Sequence, residues 1–150
     1  MSMTPSRPIL DLVLHDASLS GVYRIARADR VLAEAPAGMV AASLAGAMAK
    51  EEVIRRIAAA LDFPDWFDPN WDALQDCLCD LSWRESTATR LLIKDADELL
   101  ADNPGDWATL LDVLTESAQF WAAQELPFFV LLADPHGDFD LPTLPGDAPA

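Results

Sequence analysis

Six aspartates lie between positions 57 and 83, in a stretch that contains no lysine or arginine: Asp62, Asp65, Asp68, Asp72, Asp76 and Asp80. The last three are four residues apart, so on a helix they share one face, which we call the acidic stripe. Carboxylates in such a row can hold a divalent cation, transfer protons or meet a cationic surface. Like charges at this spacing cost roughly 0.2–0.5 kcal/mol per pair in an isolated helix. The pattern favours a surface for a cationic partner, and a plain solvated acidic face is the alternative.

The net charge of the whole chain also favours a cationic partner. The 150 residues include 25 acidic and 10 basic side chains, which gives a net charge of −15. Twelve further acids follow from Asp95 onward, again without a base. Such a field repels phosphate backbones and anionic lipids, so we expect no direct nucleic-acid partner and no membrane partner. It attracts a basic protein.

Motifs for catalysis or metal binding are scarce. The only cysteines, Cys77 and Cys79, are too close for a disulfide framework and suit a reducing cytoplasm. Neither His15 nor His136 lies in the paired context of a metal ligand or general base, and no calcium-loop, nucleophile-elbow or P-loop motif occurs. We therefore expect a cytoplasmic protein that is not an enzyme and has no cofactor, with a metal-dependent hydrolase as the weaker alternative.

A single helix would position the acidic stripe. Asp68 is the predicted N-cap and Pro69 the first helical residue, and the helix is predicted to run to about residue 81. Its apolar residues fall on the side opposite the stripe and are Leu74, Cys77, Leu78 and Leu81.

Two aromatic residues precede this helix. Trp66 and Phe67 stand between aspartates in a predicted loop, where aromatic side chains can anchor a partner. Trp107 and Trp121 instead follow the apolar spacing of a late helix, on which Asp112 and Glu116 point the other way.

The rest of the chain alternates strands with helices. Strands are predicted at 22–25, 39–44, 90–93 and 128–132, and further helices at 27–35, 50–61, 95–100 and 106–124. This alternation predicts an α/β fold with a small parallel sheet. Residues 103–105 read as a loop, and residues 134–150 as a loose acidic tail rich in proline and glycine.

The segment from Leu61 to Leu78 resembles the barstar family of intracellular ribonuclease inhibitors. Nine positions carry the resemblance: Trp66, Phe67, Asn70, Asp72, Ala73, Leu74, Asp76, Cys77 and Leu78. It extends more loosely from residue 39 to 132. The resemblance implies a barstar-like domain at 39–133 with a three-stranded parallel sheet, preceded by an extension at 1–38 that can add a fourth strand and a helix.

The resemblance also implies a function, which is stoichiometric inhibition of a small basic ribonuclease. In that family an acidic helix and its preceding loop take the place of RNA phosphates. Asp76 matches the central inhibitory aspartate, Asp72 its neighbour one turn earlier, Trp66 the first interface aromatic and Glu116 an acid on the long helix. The expected partner-binding residues are these four together with Asp68, Asn70, Phe67 and Asp80. The alternative is an immunity or interaction protein of the same fold that neutralises another basic toxin, such as a DNase.

The chain departs from the family pattern at two places. Asp68-Pro69 stands where the best-known member has a Gly-x pair, which stiffens the loop and adds a charge. Gln75 replaces an aromatic residue beside the key aspartate. Both departures bear on which partner is recognised.

Overall fold

A four-stranded parallel sheet forms the centre of the protein, in the order β1-β4-β3-β2. The computed structural model describes residues 9–84 and 87–147. The strands are β1 (Gly21–Ile25), β2 (Val40–Ser43), β3 (Thr89–Lys94) and β4 (Phe128–Ala133). The predicted α/β fold is confirmed, and the strand predicted in the N-terminal extension is the fourth of the sheet, with Gly21 opposite Phe129.

Six α-helices lie in the described ranges: α1 (Ile9–Val13), α2 (Ala28–Glu34), α3 (Lys50–Ala60), α4 (Trp71–Leu78), α5 (Asp97–Asp102) and α6 (Pro104–Ala122). The sequence did not predict α1. The prediction of a loop at 103–105 is wrong, because Pro104 opens α6, where its missing N–H costs nothing. None of the helices in these ranges is long and apolar enough to cross a membrane.

Both faces of the sheet are covered. β3 and β4 are buried along almost their whole length, which is why they read as unbroken apolar runs. Successive side chains alternate between the faces. Leu91, Ile93 and Val130 face the core beneath α3, α4 and α6, whereas Leu92 and Leu131 belong to a second core beneath α1 and α2.

The second core is built largely from the N-terminal extension. Leu10 and Leu14, on and just after α1, are fully buried and cluster with Phe129 of β4. Arg90 of β3 is also buried, and its Nε donates a hydrogen bond to the Leu14 carbonyl oxygen at 2.8 Å. Burial lowers the pKa of this guanidinium, and the charge of Asp11 opposes that shift. The extension is therefore tied to the central sheet by apolar and polar contacts.

The segment after β4 packs against the sheet and α6. The carboxylate of Asp134 is buried, and Phe139 lies against Trp107 with the ring centroids 4.8 Å apart. The amide of Leu144 donates to the Arg24 carbonyl oxygen at 3.2 Å. The prediction of a loose tail is therefore wrong for residues 134–147. The segment has the composition of turns, but two apolar side chains, Phe139 and Leu144, are buried and anchor it. Residues 148–150 lie outside the described part of the chain.

Candidate functional site

Helix α4 carries the acidic residues and is amphipathic in the way that the sequence predicts. Leu74, Cys77 and Leu78 are buried in the core, and Asp72 and Asp76 are exposed on the other side. Burial of the apolar side fixes the orientation of the helix.

Asn70, and not Asp68, caps the N-terminus of α4. Asn70 has an extended backbone and its Oδ1 accepts a hydrogen bond from the Ala73 amide at 2.8 Å. Asp68 lies further out, with its Oδ2 at 3.5 Å from the Asn70 side-chain nitrogen. The prediction of an Asp68 cap is wrong. Asn and Asp cap about equally well, so local sequence does not choose between them. Asp68 is left exposed beside the cap.

We expect Asn70→Ala to lower the free energy of unfolding by about 1 kcal/mol, because the Ala73 amide loses its hydrogen-bond acceptor. Asp68→Ala should change it by less than about 0.5 kcal/mol, as for most exposed positions. Urea unfolding of both variants measures the difference. A larger loss in Asp68→Ala than in Asn70→Ala would contradict the cap assignment.

The C-terminal end of α4 comes earlier than predicted. The helix ends at Leu78, with Cys79 as its C-cap, and Leu81 adopts a φ of +51° in the turn that follows. Asp80 is exposed in this turn, four residues after Asp76. It lies outside the helix because it follows the C-cap. Because Asp80 directly follows the C-cap, its negative charge lies at the negative end of the helix dipole, which disfavours it.

Glu116 is joined to α4 by a direct contact. The Gln75 side-chain nitrogen donates to Glu116 Oε2 at 2.6 Å, across 41 positions of sequence. Nearby, the Trp121 indole nitrogen donates to the Leu78 carbonyl oxygen at 2.7 Å. The two helices are thus locked side by side, and the exposed Glu116 lies beside the exposed face of α4. From the sequence, Gln75 is recognisable only as a departure from the family pattern, and no local pattern predicts its hydrogen bond to Glu116.

The two loop aromatics have different environments. The Trp66 side chain is 75% exposed, whereas Phe67 is half-buried and meets Phe63 edge to face with centroids 4.9 Å apart. Trp66 is therefore the aromatic that a partner can reach, and Phe67 holds the loop against the core. Phe120 on α6 is also 43% exposed. We predicted no role for it from the sequence, although it follows Glu116 by four residues and this spacing places both on one helix face.

The cysteines next to the acidic residues are protonated thiols at neutral pH. Burial raises the pKa of Cys77, and the charges of Asp80 and Asp76 raise it further. Burial also raises the pKa of Cys79; a hydrogen bond to a buried serine opposes this, and the charges of Asp76 and Glu116 add to it. A raised pKa removes the thiolate that nucleophilic chemistry needs. The charges of Asp76, Asp80 and Glu116 thus act on these two thiols.

Exposed aspartates do not by themselves make a metal centre. Within residues 9–84 and 87–147, no three side chains of histidine, cysteine, aspartate or glutamate are grouped closely enough to hold a metal ion.

Comparison with protein-family models matches residues 38–133 to the family described as Barstar (barnase inhibitor). The chain belongs to the barstar family. The matched region begins just before β2 and ends with β4, so this barstar domain contains α4, α6 and the acidic residues described above, while α1, β1 and α2 precede it. Searches of curated proteins and of solved structures gave no significant match.

Proposed function

We propose that this barstar-family protein is a stoichiometric inhibitor of a small basic ribonuclease. The observation that carries the proposal is the exposed position of Asp76 on the face of α4 opposite the core, with Glu116 held beside it by Gln75. A surface of this kind offers fixed carboxylates to the cationic cleft in which a ribonuclease binds RNA phosphates. The protein then acts by filling the cleft and carries out no reaction itself.

Each exposed residue has a proposed part in the complex. Asp76 enters the centre of the cleft, and Asp72 and Asp68 extend the negative surface toward the N-terminal end of α4. Glu116 and Asp80 extend it on the other sides. Trp66 supplies an apolar anchor at the edge, and Asn70 acts through the cap that orients the helix.

Within residues 9–84 and 87–147, no basic side chain forms an ion pair with these carboxylates, and this supports a role in binding a partner. The ion pairs among the described residues lie elsewhere: Arg24–Asp134, Arg30–Glu34, Arg56–Glu52 and His15–Asp11. None of them includes a residue of the acidic stripe or Glu116. Carboxylates without an internal cationic partner keep their attraction for an external cation.

Association with the target should depend strongly on salt. We expect the association rate constant to fall at least about tenfold between roughly 0.02 and 0.5 M NaCl, because screening removes the steering by the acidic surface. Stopped-flow mixing with barnase measures this, and Asp76→Asn should give a shallower salt dependence. An association rate that does not change with salt would contradict charge-steered binding.

A titration of enzyme activity tests the proposed target class. Increasing amounts of the protein are added to barnase and, separately, to a basic DNase. We expect ribonuclease activity to fall linearly to zero at a molar ratio of one, with DNase activity unchanged. The reverse pattern would assign the protein to the immunity-protein alternative.

A further inference from the structure

A small cavity lies beside the acidic stripe, between the turn after α4, the C-terminal end of α6 and the starts of β3 and β4. Its volume is about 180 Å³. Trp121, Leu126 and Pro127 form an apolar wall, Thr89 contributes a hydroxyl, and the exposed Asp80 contributes the one carboxylate among the described lining residues.

The size of the cavity limits what it can hold. Sites for small molecules and cofactors usually enclose roughly 300–1,000 Å³. An engineered protein cavity of about 150 Å³ binds benzene. A volume of about 180 Å³ therefore suits a single side chain.

The walls are fixed before any ligand arrives. The indole nitrogen of Trp121 is held by the Leu78 carbonyl oxygen at 2.7 Å, and the ring meets Phe120 edge to face with centroids 5.2 Å apart. The Trp121 residue is half-buried, so its ring is immobilised while part of its surface stays accessible. Preorganised walls of this kind reduce the entropy cost of binding.

Asp80 gives the cavity its charge. No hydrogen bond or ion pair of its carboxylate is present among the described residues, and its field contributes to the raised pKa of Cys77. The guanidinium of Arg84 donates from Nη1 to the Thr89 hydroxyl at 3.5 Å and does not form an ion pair with Asp80. An indole face, an apolar wall and an unpaired carboxylate together match an arginine side chain, whose planar group stacks on aromatics and whose fork binds carboxylates.

We infer that the cavity beside Asp80 receives an arginine side chain of the basic partner, with its guanidinium on the Asp80 carboxylate and its stem along Trp121. The source of the arginine rests on the proposed function, since a basic nuclease supplies it. This contact adds an attachment point to the acidic surface around Asp76 and selects for partners with an arginine at the matching distance from their cleft.

Nuclear magnetic resonance of the full chain tests the cavity without any nuclease. The five tryptophan indole N–H signals are followed while N-acetyl-arginine amide is added. We expect the Trp121 signal to shift and saturate with a dissociation constant on the order of millimolar. N-acetyl-citrulline amide, which has nearly the same shape without the charge, should bind about tenfold more weakly or not at all.

Three variants test whether the Asp80 carboxylate is responsible for arginine binding. Asp80→Asn should weaken arginine binding about tenfold while the other four indole signals keep their positions, which shows an intact fold. Asp112→Asn removes the same charge from an exposed site near the middle of α6 and should have little effect. Arg84→Gln should leave binding unchanged or make it stronger. An unmoved Trp121 signal, equal shifts with citrulline, or full binding by Asp80→Asn would overturn the proposal.

The outcome can be separated from that of the proposed function. Arginine binding without ribonuclease inhibition would keep the cavity assignment and refute the inhibitor function. Inhibition by wild type without any arginine binding would refute the cavity assignment alone.

Discussion

Replacing Asp76 with alanine is expected to weaken the complex with the target ribonuclease by about 3 kcal/mol or more, which is at least about a hundredfold. Asp76 is exposed on the helix face opposite Leu74 and Cys77, and in the proposed complex it enters the enzyme's cationic cleft. Its loss would leave buried bases of the enzyme unpaired, and this costs more than the loss of a rim charge. Inhibition titrations or calorimetry measure the effect.

The same substitution should leave the free protein folded. Asp76 has no ion pair among the described residues and its side chain is exposed, so we expect the free energy of unfolding to change by less than about 0.5 kcal/mol or to rise slightly. Asp29→Ala is the matched control, because it removes an exposed carboxylate from α2 on the opposite face of the sheet. Its affinity should stay within about twofold of wild type. Equal affinities of Asp76→Ala and wild type would refute the assignment.

Replacing Leu10 with alanine is expected to lower the free energy of unfolding by about 2–4 kcal/mol. Leu10 is fully buried in the second core, where it clusters with Phe129 and Leu131. The residue lies in the extension that precedes the barstar match, so a large loss would show that the extension is part of the folding unit. Denaturant unfolding followed by tryptophan fluorescence gives the value.

Leu12→Ala serves as the control on the same helix. Leu12 is 50% exposed, and we expect its removal to cost less than about 0.5 kcal/mol. Ribonuclease inhibition by folded Leu10→Ala should equal that of wild type, because α1 covers the face of the sheet opposite α4. Small and equal losses from both substitutions would mean that α1 does not pack on the sheet in solution.

Sequence patterns predicted much of the fold because their signals are local. The apolar runs of β3 and β4 and the 4-residue spacing of the aspartates on α4 both follow from backbone periodicity. α1 was missed because five residues give too short a run for a helical period to appear. The choice of Asn70 over Asp68 as cap depends on a backbone conformation that both residues could adopt equally well.

The sequence predicted the residues of the candidate site but not the contacts between the helices that carry them. The acidic stripe and Trp66 stand out by residue type and spacing. The Gln75–Glu116 hydrogen bond and the cavity between Asp80 and Trp121 arise only when α4 and α6 pack together, so no local pattern reports them. Burial of residues 134–147 also depends on a contact between distant parts of the chain, the packing of Phe139 against Trp107.

Affinity capture with a matched variant tests whether Asp76 binds a basic ribonuclease. Wild-type protein and Asp76→Ala are immobilised, and lysate and secreted proteins of the encoding organism are applied to both at low salt. The eluates are assayed for RNase and DNase activity, and any nuclease recovered is then titrated with wild-type protein. We expect a small basic ribonuclease that is retained by wild type alone and inhibited at a molar ratio of one. Retention of no nuclease, or of the same proteins on both columns, would contradict this expectation.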